Sequence, residues 1–133
     1  MSSRLFLLFS HELTAGQKKE LSHRWGIVHF QSLPEDLQQR WSNVPPDLPE
    51  VASHVQPILN WLQGEAKPGD LVLIQGDFGA TYTAVSFCFR HQLVPIYATS
   101  KREHREEPQQ DGSVVQVHRF NHVQFREYKR SFS

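Results

Sequence analysis

Short apolar runs alternate with amphipathic segments through the first hundred residues. Arg4 to Phe9 and Leu71 to Ile74 have the pattern of strands buried on both faces. Two further strands are predicted from Ile27 to Phe30 and from Val94 to Ala98. The pattern therefore predicts four short strands separated by longer segments.

Those longer segments carry helix signals. Thr14 and Gln17 have the spacing of a capping box, which predicts a helix from Ala15 to Trp25. A short helix ending at Trp41 and a helix from about Ala80 to His91 are also predicted. Apolar residues at helical spacing predict another helix, which is either kinked at Pro57 or starts near Ser53; they are Val51, Val55, Ile58, Leu59 and Leu62. The prolines between Ser42 and Pro49 predict an ordered loop or a lid.

Alternation of strands and helices predicts an α/β fold, a Rossmann-like, mostly parallel sheet with helices on both faces. After residue 100 the pattern changes. Asp111–Gly112 is a hairpin turn signal between Arg102–Glu107 and Ser113–Phe120, and a strand from Val123 to Tyr128 follows. We expect a single domain, 1–133, with an α/β core over 1–100 and a β-hairpin extension with a C-terminal strand over 101–133.

Composition narrows the class of partner. Fourteen basic residues balance fourteen acidic ones, so no overall field favours duplex nucleic acid. A single cysteine, Cys88, excludes an internal disulfide and fits a reducing cytoplasm. The apolar run before Ser10 is too short to span a membrane. We expect a cytoplasmic protein that binds a small ligand and contacts neither duplex nucleic acid nor membrane.

Polar residues follow three of the predicted strands. Ser10 and His11 follow the first, Gln75–Asp77 the third, and Lys101 and Arg102 the fourth. Ligands of open α/β sheets bind at the carboxyl ends of strands where the strand order reverses. Histidine, cations, hydroxyls and an amide suit a phosphodiester, and a helix N-terminus after Gly76 and Gly79 favours an anion. No metal cage and no cofactor are predicted.

Each of these residues also has a structural interpretation. His11 fits a turn, Asp77 fits a helix cap, and Lys101 and Arg102 fit a solvated surface. Tyr82, Val85, Phe87 and Phe89 are expected to pack in the core. His118 and His122 have a spacing seen in zinc sites, but without a third ligand nearby we reject a metal there.

Familiar nucleotide-binding motifs do not explain the turn from Gly76 to Gly79, which we call the glycine turn. Gly76–Gly79 lacks the third glycine of the dinucleotide fingerprint and the Gly-Lys ending of a P-loop. Asp77–Gly79 matches the kinase magnesium motif in a chain too short for a kinase. A KH-domain loop would lie between helices and not after a buried strand.

Taken together, the motifs resemble a known family, the small CRISPR-associated accessory proteins of type III systems that act as ring nucleases. The resemblance covers nearly the whole chain and rests on Phe6–His11 with Leu13, Thr14 and Gln17, on Leu33–Pro34, on Trp41–Leu48, on Gln75–Thr81, and on Pro95–Thr99 with Lys101 and Arg102. It implies a relationship to CARF domains, a homodimer, and cleavage of cyclic tetra-adenylate, which ends antiviral signalling.

The resemblance implies a metal-independent reaction in which the ribose 2′-hydroxyl attacks the adjacent phosphate and leaves a 2′,3′-cyclic phosphate. On that basis we expect His11 as the acid or base and Lys101 or Arg102 on the phosphate. Ser10, Gln75, Gly76, Asp77 and Thr81 would position phosphate and ribose. A non-catalytic sensor or sponge for the same ring, and an unrelated enzyme acting on nucleosides or nucleotide cofactors, remain alternatives.

Overall fold

The fold is an α/β sheet of five strands flanked by helices, seen in a computed structural model that describes residues 3–131. The strands are β1 (Arg4–Leu8), β2 (His29–Ser32), β3 (Leu71–Ile74), β4 (Val94–Pro108) and β5 (Val114–Glu127). The helices are α1 (Ala15–Trp25), α2 (Glu35–Ser42), α3 (Ala52–Glu65) and α4 (Phe78–Arg90).

The strand order is β2-β1-β3-β4-β5. The first four strands are parallel to their neighbours and β5 runs antiparallel to β4. The chain moves outward from β1 to β2 and then returns to β3 on the other side of β1. The strand order therefore reverses at β1, as the sequence predicts for a ligand site.

Helices cover both faces of this sheet. On one face Leu21 of α1 packs with Leu5 and Leu73. On the other face α2, α3 and α4 bury a larger cluster that includes Phe6 and Trp41. Leu5 and Phe6 are consecutive residues of β1 and enter different clusters, because successive side chains of a strand point to opposite faces. Burial on both faces explains the continuous apolar runs of β1 and β3.

Two helix starts are determined by nearby side chains. Thr14 and Gln17 form the predicted capping box at α1, and Gly26 ends that helix with a positive φ of 68°. Asp77 caps α4, where its carboxylate accepts a hydrogen bond from the Ala80 N–H at 3.0 Å. Helix α4 therefore begins at Phe78, two residues before the predicted start.

The C-terminal region differs from the prediction. The segments predicted separately as Val94–Ala98 and Arg102–Glu107 form one strand, β4, and the two predicted C-terminal strands form one strand, β5. A bulge allows this continuity: Thr99 pairs with Gln124 and Ser100 with His122, so Val123 is the additional residue. The predicted turn at Asp111–Gly112 joins the two strands, with Gly112 at a φ of 86°. Strand β2 lies two residues later than predicted.

Candidate functional site

A cavity of about 500 Å³ lies at the carboxyl ends of β1 and β3 and beside β4, on the face that α1 covers. We call it the central cavity. Its lining comes from five parts of the chain: Phe9, His11 and Glu12 after β1; Thr14 and Gln17 at the start of α1; Gln75 after β3; Ala98, Thr99 and Ser100 of β4; and Phe120 and His122 of β5. The reversal of strand order thus coincides with a cavity whose apolar walls carry several polar side chains.

His11 lies in the segment between β1 and α1. The capping box at Thr14 starts α1 soon after β1 ends at Leu8, so this segment is short and stays at the carboxyl edge. The His11 ring is exposed and meets the Phe9 ring edge-on, with centroids 5.4 Å apart. His11 is therefore open to a ligand and is held on one side by an aromatic ring.

Gln75 contributes to the central cavity and also ties three strands together. Its Oε1 atom accepts a hydrogen bond from the Ala98 N–H of β4 at 2.8 Å. Its own N–H donates to the Leu8 carbonyl at 3.1 Å. These bonds keep the ends of β1, β3 and β4 together beside the cavity.

Ser10 lines a second cavity of about 620 Å³, which we call the edge cavity, between the ends of β1 and β2. The Ser10 hydroxyl lies 2.8 Å from that of Ser42, which also accepts a hydrogen bond from Gln38 Nε2 at 3.0 Å. The edge cavity shares Phe9, His11 and Glu12 with the central cavity. His11 therefore stands where the two cavities meet.

The edge cavity also contains a cation that the sequence interpretation missed. Lys18 lines it, with its Nζ atom 5.7 Å from the centre of the Phe30 ring. Lys18 lies four residues after the Thr14 cap, in the first turns of a helix that begins at the carboxyl edge. The sequence did contain a signal for Lys18, because the capping box predicts where α1 begins and therefore which residues lie in its first turns.

The glycine turn has a structural role. A Cβ atom at Gly76 would come within 3.0 Å of the Trp41 Nε1 atom, and neither Gly76 nor Gly79 has a positive φ. Close approach to Trp41, and not an unusual backbone angle, is what requires glycine at position 76. The Asp77 carboxylate already occupies the start of α4, so a ligand anion at the same place would meet its charge.

Thr81 lies away from the central cavity. It lines a groove of about 560 Å³, the α4 groove, between α4 and the segment Tyr128–Arg130. Its buried Oγ1 atom has no hydrogen-bond partner among residues 3–131. The packing prediction is right for Phe87, which is buried, and wrong for Tyr82, which is 76% exposed in this groove.

Lys101 and Arg102 are both exposed, but they lie on opposite faces of the β4–β5 hairpin, because side chains of a strand alternate. Arg102 pairs with Phe120, which lines the central cavity, and its guanidinium lies 6.0 Å from that ring. Arg102 also contacts His118 Nδ1 at 3.2 Å. Of the two predicted cations, Arg102 is therefore the one on the cavity face.

His122 is the second residue that the sequence interpretation left out of the site, having considered it only as a zinc ligand. It lines the central cavity with His11, although the two residues lie near opposite ends of the chain. The His122 Nε2 atom lies 2.7 Å from the Glu20 carboxylate of α1. No local signal could have placed it there, since its position depends on the bulge and on the packing of β5 against α1.

Burial by itself raises the pKa of Glu20, but three hydrogen-bond donors outweigh it. They are the Phe125 N–H at 2.8 Å, His122 at 2.7 Å and Arg24 at 2.7 Å. Together they hold the pKa of Glu20 below its ordinary value. The group beside His122 is thus an ionised carboxylate at neutral pH.

The predicted site residues therefore divide into groups. His11 and Gln75 share the central cavity, and Ser10 lies in the adjoining edge cavity. Arg102 is on the face of the hairpin that leads to the central cavity, whereas Asp77 caps α4 and Thr81 lies within that helix. Between residues 3 and 131, no three His, Cys, Asp or Glu side chains are grouped to hold a metal ion. None of the helices in that range is long and apolar enough to cross a membrane.

Comparison with known proteins gives the family. The model of the family described as "Uncharacterized protein MJ1673 family" matches residues 3–126. The chain belongs to the MJ1673 family. A relative from Methanocaldococcus jannaschii, described as "Uncharacterized protein MJ1673", is 43% identical over 125 residues, covering 94% of this chain and 96% of the relative. No solved structure matches the chain.

The MJ1673 family match includes every residue of the two cavities. It begins before β1 and ends at Arg126, after His122 and close to the end of β5. Part of the α4 groove lies beyond it, because Tyr128, Lys129 and Arg130 follow the matched residues.

Proposed function

We propose that this member of the MJ1673 family is a metal-independent ring nuclease that cleaves cyclic tetra-adenylate and so ends type III antiviral signalling. The motif resemblance stated above suggests the substrate, and one structural observation carries the proposal. His11 lies exposed at the junction of two cavities that combine polar and apolar side chains, at the reversal of strand order in a mostly parallel sheet. On this proposal the fold is Rossmann-like and related to CARF domains.

The chemistry requires little from the protein beyond positioning and proton transfer. The ring supplies its own nucleophile, a ribose 2′-hydroxyl, which must approach the phosphorus opposite the leaving 5′-oxygen. The protein must hold that geometry, stabilise charge on the phosphate oxygens and move protons. His11 is the proton-transfer group of this proposal, and Gln75 and Ser10 offer hydrogen bonds on either side of it.

Room and charge at the site also support a cyclic nucleotide ligand. A ring of four nucleotides needs more space than one cavity offers, and the central and edge cavities adjoin at Phe9, His11 and Glu12. Lys18 lies in the edge cavity and Arg102 lies on the face of the hairpin that bears Phe120. These two cations provide local attraction for phosphates in a chain with no net charge.

The proposed enzyme is a cytoplasmic homodimer. A two-fold assembly gives the enzyme two equivalent sites, one in each subunit. The α4 groove supplies a surface for such an assembly, because Phe78 is 94% exposed and Tyr82 is 76% exposed on adjacent turns of α4. Exposed aromatic groups of this size often mark an interface.

Cleavage in the presence of EDTA tests the proposal. Purified protein is incubated with cyclic tetra-adenylate and excess EDTA. The products are separated by chromatography and identified by mass spectrometry. We expect linear products with a 2′,3′-cyclic phosphate. Intact ring that co-elutes with the protein would instead identify a sensor or sponge, and a ring that neither binds nor reacts would exclude this ligand altogether.

A further inference from the structure

The central cavity contains a second histidine whose ring is held by a carboxylate. The His122 side chain is 16% exposed, and its Nε2 atom lies 2.7 Å from Glu20 Oε1. The other Glu20 oxygen accepts from the Phe125 N–H at 2.8 Å and from Arg24 at 2.7 Å. Glu20 is thus anchored at one oxygen and bonded to His122 at the other.

The β5 bulge is what turns His122 toward α1. Phe125 is buried on the α1 face, and His122 lies three residues earlier, which in a regular strand would place it on the opposite face. The additional residue, Val123, restores the alternation so that both side chains face α1. Bulges of this kind are common beside active sites, where they redirect one side chain.

The hydrogen bonds select one tautomer of His122. An ionised carboxylate only accepts, so Nε2 carries the proton that it donates to Glu20. The Thr14 N–H donates to Gln17 Oε1 at 2.9 Å, which leaves Gln17 Nε2 as the donor toward His122 Nδ1 at 3.4 Å. The Nδ1 atom is therefore the basic nitrogen, and among the described residues its only hydrogen-bond partner is Gln17, at a long distance.

We infer that His122 is a second catalytic residue of this cavity, a general base acting through Nδ1, and that Glu20 is the positioning residue that holds it. This inference rests on the proposed function and assigns its proton transfers. His11 and His122 line the same cavity, so one side chain can serve the entering oxygen and the other the leaving oxygen.

The step balances with two histidines. His122 Nδ1 takes the proton of the ribose 2′-hydroxyl as the 2′-oxygen forms its bond to phosphorus. The bond from phosphorus to the 5′-oxygen breaks, and His11 delivers a proton to that oxygen. The products are a 2′,3′-cyclic phosphate and a 5′-hydroxyl. Before the next cycle His122 releases its proton to water and His11 takes one up.

Two variants test the two roles. His122→Gln removes the base, and we expect kcat to fall about 100-fold or more while the affinity for cyclic tetra-adenylate changes less than about threefold. Glu20→Gln keeps an acceptor for the Phe125 N–H but points an amide donor at His122, which favours the other tautomer. We expect kcat to fall about tenfold or more, with affinity again little changed.

Two further variants separate catalysis from stability. Ile58→Val deletes one buried methylene from the core on the face of the sheet opposite α1, and leaves Glu20, His122 and their bonds in place. It should lower Tm with little change in kcat. His23→Gln, on the exposed surface of α1, controls for loss of a histidine. NMR of the ring nitrogens should show protonated Nε2 at His122 in the unmodified protein and protonated Nδ1 in Glu20→Gln.

Each result bears on a different claim. Unmodified protein that does not cleave the ring would overturn the proposed function and this inference with it. Cleavage that survives His122→Gln undiminished would overturn the inference alone. The inference also fails if His122→Gln loses activity only in proportion to a fall in Tm like that of Ile58→Val, or if NMR finds the proton of His122 on Nδ1 in the unmodified protein.

Discussion

The indole of Trp41 occupies the space that a side chain at Gly76 would need. Trp41 Nε1 donates to the Gln75 carbonyl at 3.1 Å, and a Cβ at Gly76 would lie 3.0 Å from the same nitrogen. Trp41 is almost fully buried, so it has little freedom to withdraw. The turn after β3 and the end of α2 are thus matched in shape beside the candidate site.

Gly76→Ala should therefore destabilise the fold. We expect a loss of about 1–3 kcal/mol in the free energy of unfolding, measured by urea titration, because the new methyl overpacks a rigid contact. Gly64→Ala is the matched control, since no atom lies within 4 Å of its added Cβ and the residue is in α3. It should be neutral or slightly stabilising, by up to about 1 kcal/mol. Equal losses in the two variants would contradict the role of Trp41.

His11→Ala should lower turnover far more than binding. We expect kcat for cyclic tetra-adenylate to fall about 100-fold or more, because proton transfer at one oxygen is lost, while the affinity changes little. Single-turnover kinetics with separate titration of binding would measure both. A variant that cleaves as fast as the unmodified protein would remove His11 from the mechanism.

Arg102→Gln should weaken binding more than Lys101→Gln does. Arg102 lies over Phe120 on the cavity face of the hairpin, whereas Lys101 pairs with Asn121 on the other face. Loss of one charged contact to phosphate corresponds to about a tenfold loss of affinity. Isothermal titration at low and high salt would compare the two. Were Lys101→Gln to lose more affinity, Lys101 would be the phosphate contact and the assignment by face would fail.

Phe78→Ser should convert the proposed homodimer to a monomer. Phe78 is 94% exposed beside Tyr82, and burying such rings on association supplies much of the driving force of an interface. Sedimentation velocity at several concentrations would show the change in mass. Val28→Ser alters another exposed apolar residue, 59% exposed and outside the α4 groove, and should leave the mass unchanged. A dimer that persists in Phe78→Ser would place the interface elsewhere.

Glu20 should make stability depend on pH. Its pKa is lower in the folded protein than in the unfolded chain, where it is about 4.3. A depressed pKa contributes stability that is present above the unfolded value and lost as pH falls through the folded value. Glu20→Gln should thus be less stable than the unmodified protein at about pH 6, and the difference should shrink below about pH 4. The midpoints of urea unfolding of both proteins across this pH range measure the difference in stability. A difference that does not change with pH would contradict the prediction.

Sequence alone determined the features that depend on neighbouring residues. The capping box of Thr14 and Gln17 and the turn at Asp111–Gly112 were predicted, and a cap at Asp77 was the structural alternative to a ligand role; all three are present. Each involves groups within a few residues of one another, so local chemistry is sufficient. The buried strands β1 and β3 were predicted for a related reason, since burial on both faces leaves a continuous apolar run.

Only the tertiary structure decided which side chains meet in the central cavity. Shifting a strand by one residue moves every side chain to the other face, and the bulge at Val123 makes such a shift between Phe125 and His122. The bulge depends on pairing with β4 and on packing against α1. Glu20 of α1, which bonds to His122 and Phe125 of β5, lies more than a hundred residues before them in the sequence. His122 therefore joins His11 for reasons that no local pattern records, and Lys101 is turned away from Arg102 by the alternation of the same hairpin.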